Sequence, residues 1–198
     1  MGIMEIIGFI SGALCVYLIT RQKILNWPIG IINSIVLTFV FFGTQLYAQA
    51  GLQLIYTLQG IYGWIMWYKK DENLKPIVKV RNITSKEITK WAVIGSILTF
   101  FCTLYFQTTG DPAPFLDSLI TVFSLIANYF ICLKIFENWT IFLVLDVISI
   151  ALFITQGIWI TAGTYLIFMI LCILGFKDWN KELKENEVAE DLKEEKIK

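Results

Sequence analysis

The chain has 198 residues, 57% of them hydrophobic and only 16% charged, with a formal net charge of zero and a mean hydropathy of +0.67. A soluble domain carries about 45–50% apolar and about 25% charged residues, and a chain this short hides only part of its apolar surface, so the surplus must face a bilayer. The sequence has no histidine, which excludes His-based catalysis, H-E-x-x-H zinc chemistry and imidazole relays, and no G-x-x-x-x-G-K-[ST] through which it would hydrolyse ATP itself.

Seven apolar runs reach the roughly 17–25 residues needed to cross about 30 Å of hydrocarbon. They lie at about 3–20, 28–46, 51–68, 91–107, 115–134, 139–159 and 161–179. The first opens MGIMEIIGFISG, without a basic n-region or a small-residue cleavage site, and reads as a retained helix rather than a signal peptide. The joins around Gln49-Ala50 and Ile160-Thr161 are very short. Residues 69–90 read as a mixed charged linker, Asp111-Pro112-Ala113-Pro114 as a turn, and residues 180–198 as a short solvated helix or tail. Cys15, Cys102, Cys132 and Cys172 stand singly in apolar runs and read as small core hydrophobes. No metal or cofactor site is expected.

The basic residues occupy alternate loops. Two follow the first span (Arg21, Lys23), seven the third, one the fifth (Lys134), and six lie at or beyond the end of the seventh. The positive-inside rule then predicts an N-terminus outside the cytoplasm and a C-terminus within it.

The sequence also repeats itself. A shift of 112 residues lays Asn26-Trp27 on Asn138-Trp139, Phe41 on Phe153, Ala50-Gly51 on Ala162-Gly163, Gly63 on Gly175 and Trp67 on Trp179, without a gap. Upstream, Tyr17 meets Tyr129 and Glu5 meets Asp117. Spans one to three thus return as spans five to seven, with span four as a joiner, so both triplets cross the same way up. The expected organisation is a first three-helix repeat at 1–70, a cytoplasmic linker and joining helix at 71–110, a second repeat at 111–179 and a charged tail at 180–198. Parallel repeats are one known transporter plan, with the solute site between them near the midplane.

The polar residues within the spans are the candidates for handling a solute. Helix six places Trp139, Phe142, Asp146, Ser149 and Phe153 on one face. A carboxylate in midspan costs about 2.5–3.5 kcal/mol on insertion scales, so Asp146 is expected either to line a wet cavity or to hydrogen-bond a neighbouring helix. Helix five carries a stripe of Asp117, Thr121, Ser124 and Asn128, which reads equally as binding groups or as interhelical polar packing. The repeat mates of that stripe are mostly small or apolar, so the binding groups are expected chiefly from the second half. On helix three, Gln53, Thr57, Gly60, Trp64 and Trp67 share a face, with Gln59 and Tyr62 nearby; on helix two, Asn33 and Ser34 are the mates of Leu145 and Asp146. Trp67, Tyr68 and Trp179 read as an interfacial aromatic belt. Gly60, Gly63 and Gly163 read as close-packing positions.

Asn26-Trp27-Pro28, LYAxxxLQ (Leu46 to Gln53), IYGWxxW (Ile61 to Trp67), PxxD (Pro114 to Asp117), ENW (Glu137 to Trp139), TAxxY (Thr161 to Tyr165) and GxxxW (Gly175 to Trp179), together with Asp146, closely resemble the Pnu-type vitamin transporters over residues 5–180. The resemblance implies an all-α membrane protein with seven transmembrane helices in a SWEET-like 3+1+3 fold, set in a bacterial inner membrane as a homotrimer. It also implies facilitated diffusion of an unphosphorylated vitamin precursor that a soluble kinase traps. Members that carry nicotinamide riboside have W-x-x-W-x-x-x-N on the sixth helix; here the positions read Trp139, Phe142 and Asp146. Nicotinamide riboside is therefore the expected solute and thiamine the alternative. Both bear a fixed positive ring, suited to a carboxylate flanked by aromatic faces. The expected substrate contacts are Trp139, Phe142, Asp146, Asn128, Ser124, Thr121, Gln53, Gln59, Asn33 and Trp64, and no nucleic-acid partner is expected. A membrane-embedded enzyme lacks its acid pair or metal site, and an importer subunit borrowing an ATPase would carry a docking motif.

Overall fold

Hydrocarbon offers no partner to a backbone N–H or C=O, so each apolar run must satisfy its own backbone as a helix. The computed structural model describes residues 3–45, 47–72 and 74–195, with the side chains of residues 3–9, 187 and 189–195 left aside; Glu5, Leu46 and residues 196–198 therefore lie outside the described side chains. Among the described residues there are seven helices: α1 (Ile3–Thr20), α2 (Asn26–Gly43), α3 (Tyr47–Tyr68), α4 (Ser85–Thr108), α5 (Pro114–Cys132), α6 (Asn138–Thr155) and α7 (Trp159–Glu195). Five of them, α2 and α4 to α7, are long and apolar enough to cross a membrane by length and composition.

The short joins fall earlier than the sequence predicts. Gln45 and Gly157 take φ of 62° and 74°, the left-handed conformation that ends a helix, so α3 begins at Tyr47 and α7 at Trp159. A second pair of left-handed residues, Gln22 and Lys134 (φ 50° and 51°), follows the ends of α1 and α5. Each pair is separated by the 112 residues of the sequence shift.

Six helices close a ring. α1 packs on α2 and α7, α2 on α3, α3 on α5, α5 on α6 and α6 on α7, while α4 lies outside against α5. Gly95 of α4 admits the Phe123 and Ile126 side chains of α5.

Two charged segments each lay a few residues against the ring. The linker crosses beneath the ring as a strap, with Val78 and Val80 buried and Arg81 bridging to Ile135. The Arg81 guanidinium grips Glu87 at 2.7 and 2.8 Å, which raises its pKa further, and Glu87 completes a capping box with Thr84 at the start of α4. The helix expected at 180–198 runs on from α7 as far as Glu195, and within it Leu183 packs with Val80 and Trp179, and Asn186 donates to the Val80 carbonyl. Apolar residues at 78, 80 and 183, isolated among charges, carry this docking.

The tightest packing in the ring is tryptophan on glycine. The Trp27 ring lies across Gly63, and the Trp139 ring across Gly175, so closely that a Cβ at either glycine would overlap the indole. Gly60 is similar, with the Ile31 side chain 2.8 Å from where its Cβ would lie, whereas Gly163 has open space and is not a packing position. A Gly63→Ala or Gly175→Ala change gains up to about 1 kcal/mol of helix propensity but overpacks a site where such insertions cost about 1–3 kcal/mol. Either variant is expected to lower the midpoint of thermal unfolding in detergent; an unchanged or raised midpoint contradicts the packing account.

Candidate functional site

Basic side chains gather at one end of the ring, where α1, α3 and α5 finish and α2 and α6 begin. Arg21 meets Asp178 at 3.3 Å, and Lys134 Nζ donates to Gln22 Oε1 at 2.6 Å while lying 4.8 Å over the Trp67 ring. Gln22 Nε2 in turn donates to Glu182. Burial lowers the Lys134 pKa, opposed by the Glu182 carboxylate.

Just inside this end, four indoles form a chain. Trp27 meets Trp67 edge-on at 5.3 Å, Trp67 meets Trp179 at 6.3 Å, and Trp179 meets Trp139 edge-on at 5.4 Å. Trp67 Nε1 donates across the ring to the Ile131 carbonyl of α5 at 3.1 Å, and Trp179 Nε1 to the Ile19 carbonyl of α1 at 3.2 Å. Both acceptors sit in the last turn of a helix, and each also accepts a backbone N–H, from Lys134 for Ile131 (3.1 Å) and from Gln22 for Ile19 (2.9 Å). Trp67 and Trp179 are therefore interior residues, not the interfacial belt expected from sequence: Trp179 is fully buried, and only Tyr68, 73% exposed, faces outward. Position near a span end suggested a belt; the crossed carbonyl bonds and the neighbouring indoles hold both rings inward.

Beyond the tryptophans lies a cavity of about 120 Å³ lined by Cys15, Asn26, Trp27, Gly30, Ser34, Tyr56, Gly60 and Asn128. It belongs mainly to the first half, whereas the expectation placed the binding groups chiefly in the second. In the shift, Gly30 and Gly60 correspond to the larger residues Phe142 and Cys172. Trp27, Asn26, Tyr56 and Cys15 were missed, and the glycines opposite larger mates were the signal that marked them. Trp27 and Trp139 are buried with no hydrogen-bond partner for Nε1. A buried donor left unmade costs about 1–3 kcal/mol, so both indoles are free to receive an acceptor.

The helix-six face points inward as expected. Asp146 and Ser149 are buried, and Asp146 Oδ2 accepts from Cys172 Sγ at 3.4 Å. Tyr165 lies within range of both and stacks on Phe153 at 5.4 Å. Phe142 packs against the clusters around both Trp139 and Trp27, joining the α6 face to the cavity. Asp146 itself is not among the residues lining the cavity.

The remaining candidates scatter. Gln59 and Asn128 clasp α3 to α5: Asn128 Nδ2 donates to Gln59 Oε1 at 2.8 Å, and Gln59 Nε2 to the Leu125 carbonyl at 3.0 Å. Asn33 Oδ1 accepts from Ser11 at 3.2 Å. Gln53 and Ser124 are half-buried, and Trp64 is 41% exposed on the outside of the ring, away from Gly60 and Trp67. Thr121 and Asp117 line a separate cavity of about 580 Å³ at the far end, with Tyr47, Gln49, Tyr105 and Asp111.

The Gln59–Asn128 clasp makes its own prediction. Interhelical bonds of this kind contribute on the order of 1 kcal/mol, and either alanine strands its partner. Unfolding of Gln59→Ala, Asn128→Ala and the double variant in detergent should give a double loss smaller than the two single losses combined; strict additivity contradicts the clasp.

A family model described as nicotinamide mononucleotide transporter matches residues 2–181. The nicotinamide riboside transporter PnuC of Escherichia coli (strain K12) is 27% identical, covering 91% of this chain and 86% of that protein. The riboflavin/roseoflavin transporter RibM of Streptomyces davaonensis is also 27% identical, over 88% and 83%. Among solved structures, a crystal structure of the vitamin B3 transporter PnuC superposes with a TM-score of 0.70 at 22% identity, over 92% of this chain and 82% of that one.

Proposed function

We propose, since the chain belongs to the nicotinamide mononucleotide transporter family, that it carries nicotinamide riboside across the membrane by facilitated diffusion. It is a membrane transporter and not an enzyme. The observation that carries the choice of solute is the buried Asp146 carboxyl on an interior face with Trp139 and Phe142. A pyridinium ring complements a carboxylate, and stacking of such a cation on an aromatic face contributes roughly 0.5–2 kcal/mol. The ribose hydroxyls and carboxamide oxygen are acceptors for the indole N–H groups of Trp27 and Trp139.

The charge pattern supports the riboside over its phosphate. α1, α2, α3, α5 and α6 contain no Lys or Arg, and Lys134 stands beyond the end of α5. A phosphate dianion inside the ring would meet a carboxyl and no cation, whereas burying an unpaired charge costs several kcal/mol. Phosphorylation after release by an intracellular kinase would then make uptake one-way.

The repeat completes the reading. Contacts recurring at a spacing of 112 residues support two parallel three-helix repeats, 1–70 and 111–179, joined by α4 in a SWEET-like 3+1+3 plan. The basic end is the cytoplasmic one by the positive-inside rule, which puts the N-terminus outside; assembly as a homotrimer follows from the resemblance.

A second reading, uptake of a flavin, draws on the similarity to RibM. One binding experiment separates them. Asp146→Asn should weaken binding of nicotinamide riboside to the purified transporter at least tenfold, which is about 1.4 kcal/mol, and that of its uncharged dihydro form less than twofold. Equal losses for both reject the charge pairing. Thiamine and riboflavin in the same titration test the alternatives, since tighter binding of either to the unaltered protein displaces nicotinamide riboside as the solute.

A further inference from the structure

The cavity of about 120 Å³ is smaller than the roughly 300 Å³ at which small-molecule pockets begin, so the ring must widen there for a nucleoside to pass. Its wall at the charged end is Trp27, backed by Trp67. The bonds there cross between the halves: α3 reaches the last turn of α5 through Trp67, and α7 reaches the last turn of α1 through Trp179. Trp67 and Trp179 themselves meet where the halves adjoin. Separating α1–α3 from α5–α7 at this end therefore breaks both indole bonds and the ring contact together. Over them lies a second tie, Lys134 to Gln22, between left-handed residues at matching places in the two halves.

We infer that the four tryptophans, tied by the Lys134–Gln22 bridge, are the gate of the transporter at its charged end. The inference rests on the carrier reading, but not on which solute is carried. Replacing an indole by phenylalanine keeps a ring and removes the crossed bond. Replacing Lys134 by methionine keeps the stem and removes the tie to Gln22 and the charge over Trp67. Either change favours the open form at this end.

Cys15 reports the opening, because it lines the cavity that Trp27 walls at the charged end. With Cys102, Cys132 and Cys172 changed to alanine, sealed vesicles are exposed on one face at a time to a membrane-impermeant methanethiosulfonate. Trp67→Phe, Trp179→Phe and Lys134→Met are each expected to speed Cys15 labelling at least fivefold from the face bearing the charged loops, with less than a twofold change from the other face. Rates within twofold of the parent from both faces, or equal acceleration from both, overturn the gate. Should these variants fail to fold, Gln22→Cys with Lys134→Cys decides: a reducible bifunctional thiol cross-linker joining the two positions is expected to stop solute flux in proteoliposomes, and cleavage to restore it. Flux undiminished by the cross-link overturns the gate. The labelling needs no solute, so a failed gate is distinguishable from a wrong choice of vitamin.

Discussion

A polar group inside a bilayer is tolerated only where protein or enclosed water receives it, and this constraint decides which way each helix of the ring faces. Asn26, Ser34, Ser118, Asn138, Asp146 and Ser149 are buried, while Phe39, Leu58 and Phe101 stand more than 60% exposed. The inversion of the soluble pattern leaves a narrow polar interior in an apolar exterior. A charged, flat solute finds its complement only there.

Tryptophan packed on glycine sets the shape of that interior. Each Trp–Gly contact pins the start of one helix to a neighbour, and each crossed indole bond ties α1–α3 to α5–α7. The arrangement is doubled, but its consequences are not. Glycines at 30 and 60 line a cavity among α1, α2, α3 and α5, while their mates at the shift are the larger Phe142 and Cys172. The duplicated frame thereby holds one off-centre recess next to one acidic face, with Phe142 between them.

Most of the frame was legible in the sequence. Seven apolar runs became seven helices among the described residues, and left-handed residues recur at the spacing of the sequence shift. Helix six was readable because three- and four-residue steps place Asp146 and Ser149 together. Helix three was less so: Trp64 and Trp67 share a face on a helical wheel, yet Trp67 turns into the ring and Trp64 out of it, because the wheel does not show which arc the neighbours cover. Gln59 and Asn128 stand as expected solute ligands, and their bond to each other was not legible from sequence. Composition marked 69–90 as a charged linker and 180–198 as a solvated helix or tail, and neither reading shows that Val78, Val80 and Leu183 are buried. In each case the missing information was the identity of the facing helix, which local periodicity does not carry.

A structure of the transporter determined with nicotinamide riboside bound tests the central claim most directly. The account predicts the solute inside the ring, between the recess lined by Trp27 and Asn128 and the face bearing Asp146, with its pyridinium within about 6 Å of an aromatic ring centre. A solute held instead in the cavity beside α4, or on the outer surface of the ring with Asp146 still bonded to Cys172, would contradict it.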